Sequence, residues 1–160
     1  MKNFNEVGKI ILAYFISTIV YMIVLSSVVK DELITTRESL RVEWVGTLAF
    51  SLVLLLLVWI FKIKFKTFLI FLGIILILFI PLTINRESLW NSLWSTPDTP
   101  VLIYLTFLSL VTTLPFHGLI WSLTGYRCLD LLNIIFPSYL IIMGILGYII
   151  TKIRGGIKKE

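Results

Sequence analysis

The sequence predicts an all-α integral membrane protein, a polytopic bundle of about five hydrophobic helices with one short interfacial amphipathic helix. Hydrophobic residues make up 58% of its 160 residues, against roughly 45–50% in a typical soluble domain. They gather in five runs without Asp, Glu, Lys or Arg, at about 10–29, 44–61, 67–84, 101–122 and 131–150. At about 1.5 Å of rise per helical residue, each run is long enough to cross a hydrocarbon core of about 30 Å. Helices follow because a bilayer offers no partners for backbone hydrogen bonds.

The charged residues all lie between these runs or towards the two ends of the chain, which favours a single membrane domain over residues 1–160. The net charge is +5, and Lys and Arg near a membrane surface are attracted to anionic headgroups. The lipid bilayer is therefore the first predicted partner, followed by other membrane proteins or further copies of this chain. Nucleic-acid binding is not predicted, because the cations are scattered over several loops instead of gathered on one face.

The connection between the first two runs, residues 30–43, carries charges of both signs. Within it, Thr35 is followed three residues later by Glu38, which is the spacing of a capping box. This pattern predicts that the second helix begins ahead of its apolar run and projects above the membrane.

The connection between the third and fourth runs predicts a short interfacial helix at about 86–95. Its indoles and leucines recur at helical spacing on one face, and such a helix lies in the interface with the indoles at headgroup depth. Trp90 and Trp94 are the predicted anchors, and Pro97 and Pro100 end the helix. We expect it to fix how the fourth run enters the membrane, and partner docking is the alternative role.

Orientation is predicted from Lys and Arg, which are in excess on the cytoplasmic side. If all five runs cross with the amino terminus inside, six of the fourteen Lys and Arg residues lie inside and eight outside. If the run 101–122 enters and returns without crossing, nine lie inside and five outside. Hydropathy therefore favours five crossings, and charge favours four. We expect five helical segments with the amino terminus inside, and the side of the carboxyl-terminal tail stays open.

The polar residues inside three of the runs share helix faces at about 100° per residue. They are Tyr14, Ser17, Thr18 and Tyr21 in the first run; Thr106, Ser109, Thr113 and His117 in the fourth; and Asp130, Asn133, Pro137, Gly144, Tyr148 and Thr151 in the fifth. Small and hydroxyl-bearing residues of this kind mostly let membrane helices pack closely. The alternative is a polar path, for which the candidate residues are His117, Thr113, Ser109, Asp130, Asn133 and Tyr148.

His117 is the strongest single candidate, because an ionisable side chain within a membrane segment is a functional-site hypothesis by default. Pro115 lies two residues before it and cannot donate a hydrogen bond to the carbonyl of Val111, which predicts a kink or break in the helix. The run ends near Trp121, so the alternative is an interfacial histidine that contacts water.

Cys128 and Asp130 follow His117 in the connection to the fifth run. A thiol, an imidazole and a carboxylate are the groups of a cysteine hydrolase, but an Arg127–Asp130 pair that caps the fifth helix explains these residues more simply. One His and one Cys are too few ligands for zinc. No metal, cofactor or catalytic residue is therefore predicted.

The leading hypothesis is a non-catalytic accessory, regulatory or immunity-type membrane component that acts through helix contacts. The alternative is a small transporter or channel subunit whose polar path is lined by the fourth and fifth runs, and the third hypothesis is an intramembrane thiol hydrolase. Short loops and the lack of a soluble domain favour a multi-pass protein of a bacterial cytoplasmic membrane.

Overall fold

The computed structural model describes residues 5–28, 36–84, 104, 108, 112–116 and 132–156, and the secondary structure of this part of the chain is helical. Its four long helices are α1 (Glu6–Val28), α2 (Thr36–Ile60), α3 (Phe65–Ile84) and α4 (Leu132–Gly156). Residues 112–116 are also helical. The predicted all-α class is therefore confirmed.

The four long helices coincide with four of the five apolar runs. α2 begins at Thr36, eight residues ahead of its run, as the capping pattern predicts, and α4 continues to Gly156. The fifth run, 101–122, is described only at residues 104, 108 and 112–116, all of which are helical. The interfacial helix predicted at 86–95, with Trp90 and Trp94, lies outside the described residues.

Neighbouring helices α1 and α2 run antiparallel. The ring of Tyr21, late in α1, lies against Gly46, early in α2, where an added Cβ would be 3.0 Å from that ring. The glycine therefore lets the α2 backbone approach an aromatic ring directly.

Helices α3 and α4 also run antiparallel, and two ring pairs mark the two ends of their contact. Near the start of α3, Phe65 meets Tyr148 with ring centroids 5.4 Å apart. Near its end, Phe79 stacks on Phe136 at 4.1 Å. The end of α3 and the start of α4 consequently lie at the same end of the bundle.

A tight turn joins α2 to α3. Lys62 adopts a positive φ of 55°, the Ile63 amide donates to the Val58 carbonyl at 3.1 Å, and the Lys62 amide donates to the Trp59 carbonyl at 3.2 Å. This pair of bonds is a Schellman motif, which satisfies carbonyls that the helix end leaves without partners. Ile63 and Val58, the two positions that usually make an apolar contact in this motif, are both fully buried.

Three parts of the chain meet at one end of the bundle. The Lys64 amide, ahead of α3, donates to Oε2 of Glu6 in α1 at 3.2 Å, and Arg154 of α4 donates to the carbonyls of Val58 and Ile63. We call this end, which comprises residues 6–9, 61–66 and 148–156, the basic end. Its cations are Lys9, Lys62, Lys64, Lys66, Lys152 and Arg154.

The core of the described bundle is apolar, and each helix contributes one stripe to it. In α3 the buried positions are Phe68, Leu72, Ile75 and Phe79, which recur at helical spacing. Two stretches, Glu6–Ser27 and Ile134–Gly155, are by length and composition able to cross a membrane. α2 and α3 contain the shorter apolar stretches Trp44–Ile60 and Phe65–Ile80.

Candidate functional site

The centre of the bundle is a cluster of aromatic rings around Phe116. Phe116 is fully buried, and its ring centroid lies 4.9 Å from that of Phe50, 5.8 Å from Tyr139, 5.9 Å from Phe136 and 6.5 Å from Tyr14. Ring pairs at these separations add about 0.5–1.5 kcal/mol each beyond the burial of their area. The helical residues 112–116 are therefore held between α1, α2 and α4.

A tyrosine of α1 fixes the same short helical stretch through its hydroxyl. The Tyr14 hydroxyl donates to the backbone carbonyl of Thr112. Its ring also contacts Phe50 at 5.6 Å and Phe71 of α3 at 5.4 Å. Tyr14 thus joins α1, α2 and α3 to residues 112–116.

A second hydroxyl pair joins α2 to α4. Ser51 and Tyr139 are hydrogen-bonded through their side chains, and Ser51 also donates to the Thr47 carbonyl of its own helix at 2.6 Å. Because a serine hydroxyl has a single proton, Tyr139 is the donor to Ser51. Both residues are buried. Because water does not reach their hydroxyl groups, the two side chains satisfy each other's hydrogen bonding.

The polar face predicted for the first run is turned inward. Ser17 and Tyr21 are buried, Ser17 donates to the Ala13 carbonyl at 2.7 Å, and Thr18 donates to the Tyr14 carbonyl at 2.9 Å. Hydroxyls bonded to the preceding turn of their own helix have their donor satisfied while small side chains permit close packing. This face is therefore used for helix contact.

The candidate polar-path residues that the structure describes lie at different depths. Thr113 is fully buried beside the aromatic cluster, whereas Tyr148 lies about half-exposed at the basic end. Asn133 lies in the first turn of α4, where Pro137 cannot donate to its carbonyl. His117, Ser109 and Asp130 lie outside the described residues, as does Cys128, so the path and its thiol alternative stay predictions.

A groove of about 570 Å³ lies between α3 and α4. Its floor includes Gly73 and Gly144, and Phe65 and Tyr148 border it at the basic end. The residues of α3 and α4 that line this groove present an almost wholly apolar surface. Pro137, Gly144 and Tyr148 share one predicted face of the fifth run. In the described part of the chain, this face borders an apolar groove.

Two features of this site were missed from the sequence. The first is the ring cluster, because Phe50, Phe116 and Phe136 read only as apolar residues of three separate runs. The second is the pair of bonds from Arg154, because the sequence shows this residue only as a cation past the last apolar run. Two signals in the sequence could have indicated these features: the helical spacing of the aromatic residues, and an arginine just past an apolar run.

The chain was compared with protein families, curated proteins and solved structures, and none of the three comparisons gives a match. Functional inference consequently rests on the contacts described above.

Proposed function

We propose that this chain is a multi-pass protein of the cell membrane with four crossings, and that it serves as a non-catalytic accessory, regulatory or immunity-type component. The observation that carries the proposal is the use of its buried hydroxyls. Tyr14 and the Ser51–Tyr139 pair join helices to one another, which is the bonding expected of a packed membrane bundle.

The exposed surface of the helices supports the membrane location. Only 22% of the window in α1 and 33% of the window in α4 are buried inside the molecule, whereas the core helix of a soluble protein is mostly buried. Large apolar side chains cover the outer faces, with Leu52, Ile77 and Ile134 each about two-thirds exposed. Soluble monomers rarely expose apolar patches beyond a few hundred Å². A lipid bilayer therefore suits this apolar surface better than water does.

The way the helices meet supports four crossings. The start of α1 and the end of α4 both lie at the basic end, because Glu6 and Arg154 each bond to the turn between α2 and α3. α3 ends and α4 begins at the opposite end. A chain arranged in this way crosses an even number of times, and the run 101–122 then enters and returns on one side.

The charge distribution agrees with this arrangement. Nine of the fourteen Lys and Arg residues then share the side of the basic end: Lys2, Lys9, Lys62, Lys64, Lys66, Lys152, Arg154, Lys158 and Lys159. Excess Lys and Arg mark the cytoplasmic side. We therefore place the basic end and both termini in the cytoplasm.

Labelling with a membrane-impermeant maleimide tests the topology. Native Cys128, the one cysteine of the chain, should react in intact cells, whereas Asn3→Cys and Lys158→Cys in a Cys128→Ser background should react only after permeabilisation. Five crossings would place positions 3 and 158 on opposite sides, and that result would refute the proposal.

A single cysteine at Thr113 separates the accessory role from the transporter alternative. Thr113 is fully buried, so Thr113→Cys in the Cys128→Ser background should stay unreactive towards a small impermeant thiosulfonate in permeabilised membranes. Lys64→Cys, which is exposed, is the control that must react. Rapid labelling at position 113 would instead favour a water-filled path and the transporter alternative.

A further inference from the structure

We propose that the groove between α3 and α4 binds one anionic phospholipid, with an acyl chain in the groove and the phosphate at the basic end. This inference rests on the membrane location proposed above. It concerns a ligand and a site that the accessory role does not require.

The length of the groove fits one acyl chain. On α3 the lining runs from Phe65 to Leu76, and on α4 from Tyr148 to Pro137. Eleven residues of helix span about 17 Å at about 1.5 Å per residue, and one leaflet is about half of a hydrocarbon core of about 30 Å. The groove therefore reaches from the basic end to about the middle of the bilayer.

The floor of the groove is open because two glycines lie on it. A Cβ added to Gly73 would meet no atom within 4 Å, and one added to Gly144 would meet only Leu72 and Leu69, at ordinary contact distances. Open space at both positions leaves room for a flexible chain against the helix backbones. The almost wholly apolar lining matches a hydrocarbon occupant.

Two lysines stand at the basic end of this groove, one on each wall. Lys66 lies seven residues, nearly two full turns, before Gly73 and so shares its face of α3. Lys152 lies one turn beyond Tyr148, and its Nζ is 5.9 Å from the centroid of the Tyr148 ring. Both lysines are exposed, and their ammonium groups can reach a phosphate whose acyl chain occupies the groove.

Three of the other charged side chains at the basic end, those of Arg154, Glu6 and Lys9, are already engaged. Arg154 is bound to two backbone carbonyls. Glu6 pairs with Lys9 at 3.2 Å and accepts from the Lys64 amide, on the α1 side of α3. In the described part of the chain, positive charge borders this apolar groove at the basic end, which complements a lipid that is anionic at one end and apolar along the rest.

Native mass spectrometry of protein released from nanodiscs tests the site. In equimolar phosphatidylglycerol and phosphatidylcholine, the wild-type chain should retain phosphatidylglycerol preferentially. Replacing both lysines (Lys66→Gln with Lys152→Gln) should lower that preference by about fivefold per lysine, the factor expected for a cation near an anionic surface. The control with Lys62→Gln and Lys64→Gln removes equal charge at the same end and should keep the preference.

Filling the groove is the second arm. Gly73→Leu occupies the open floor and should reduce retention of phosphatidylglycerol, whereas Ile74→Phe, on another face of α3, should not. The inference fails if both lysine pairs lower retention equally, if Gly73→Leu has no effect, or if the wild-type groove is closed by a second copy that Gly73→Leu releases. A chain that requires detergent but shows no phosphatidylglycerol preference refutes this inference alone, whereas a chain that is monodisperse without detergent refutes the membrane location as well.

Discussion

The guanidinium of Arg154 donates to the backbone carbonyl of Val58, with 3.1 Å between Nη1 and the oxygen. Its Nη2 donates to the Ile63 carbonyl at 3.0 Å. α2 and α4 both end here, so the negative ends of two helix dipoles lie side by side. The Val58 carbonyl, which already accepts from the Ile63 amide, uses its second lone pair for Arg154. A cation fixed between the two helix ends binds both carbonyls and offsets the repulsion, which stabilises the parallel pairing of α2 with α4.

Arg154→Gln should destabilise the bundle by about 2 kcal/mol, since hydrogen bonds to a charged group contribute about 1.5–3 kcal/mol and this one is partly exposed. Arg154→Lys should recover only part of the loss, because an ammonium group cannot reproduce the fork that reaches both carbonyls. Thermal unfolding followed by circular dichroism in detergent measures the effect. Lys152→Gln is the control for charge alone and should unfold like the wild type; equal stability of Arg154→Lys and the wild type would contradict the two-carbonyl account.

Lys62→Gly should stabilise the fold by about 0.5–1 kcal/mol. At the positive φ of Lys62, the clash between Cβ and the backbone costs roughly 1–2 kcal/mol. Glycine has no Cβ and removes this cost, but it also raises the entropy of the unfolded chain, which offsets part of the gain. The matched control is Lys64→Gly, which removes the same charge two residues later without relieving a positive φ, and it should be neutral or destabilising. The unfolding midpoints of the two variants decide the matter, and a stabilised Lys64→Gly with an unchanged Lys62→Gly would contradict the prediction.

The helices themselves could be predicted from the sequence because long uncharged runs are visible without any knowledge of contacts. The start of α2 at Thr36 could also be predicted, since capping is local and Thr35 and Glu38 lie within one turn. The inward face of α1, with Ser17 and Tyr21, followed from helical periodicity. Each of these inferences uses residues only a few positions apart.

The contacts that define the candidate site could not be predicted in this way. Tyr14 and Thr112 are 98 positions apart, and Ser51 and Tyr139 are 88 apart, so their meeting depends on how whole helices pack. The proposed even number of crossings rests in turn on Glu6 and Arg154 both reaching the turn between α2 and α3. Hydropathy counts runs, and it carries no information on whether a run turns back within the membrane.

Gly147→Ala should destabilise the bundle, although alanine is the better helix former by about 1 kcal/mol. A Cβ at Gly147 would overlap the ring of Phe68, which is fully buried and cannot move without disturbing the contact between α3 and α4. Overpacking of this kind costs typically about 1–3 kcal/mol. Gly73→Ala, with nothing within 4 Å of its Cβ, is the matched control and should be neutral or stabilising. Comparable thermal midpoints for the two variants would show that the Phe68 ring moves aside at no cost, and would contradict the prediction.

The hydrogen bond between Ser51 and Tyr139 should couple α2 to α4 in a measurable way. In a double-mutant cycle, Ser51→Ala and Tyr139→Phe should each destabilise the fold, and together they should cost less than the sum of the two. The coupling should be about 0.6 kcal/mol, the mean for polar contacts between membrane helices. Ser138→Ala is the control, because Ser138 is exposed and donates only to the Ile134 carbonyl of its own helix at 2.7 Å. Strict additivity of the Ser51 and Tyr139 substitutions would mean that the pair adds nothing to helix association, and the support that this bond gives to the proposed role in helix packing would be lost.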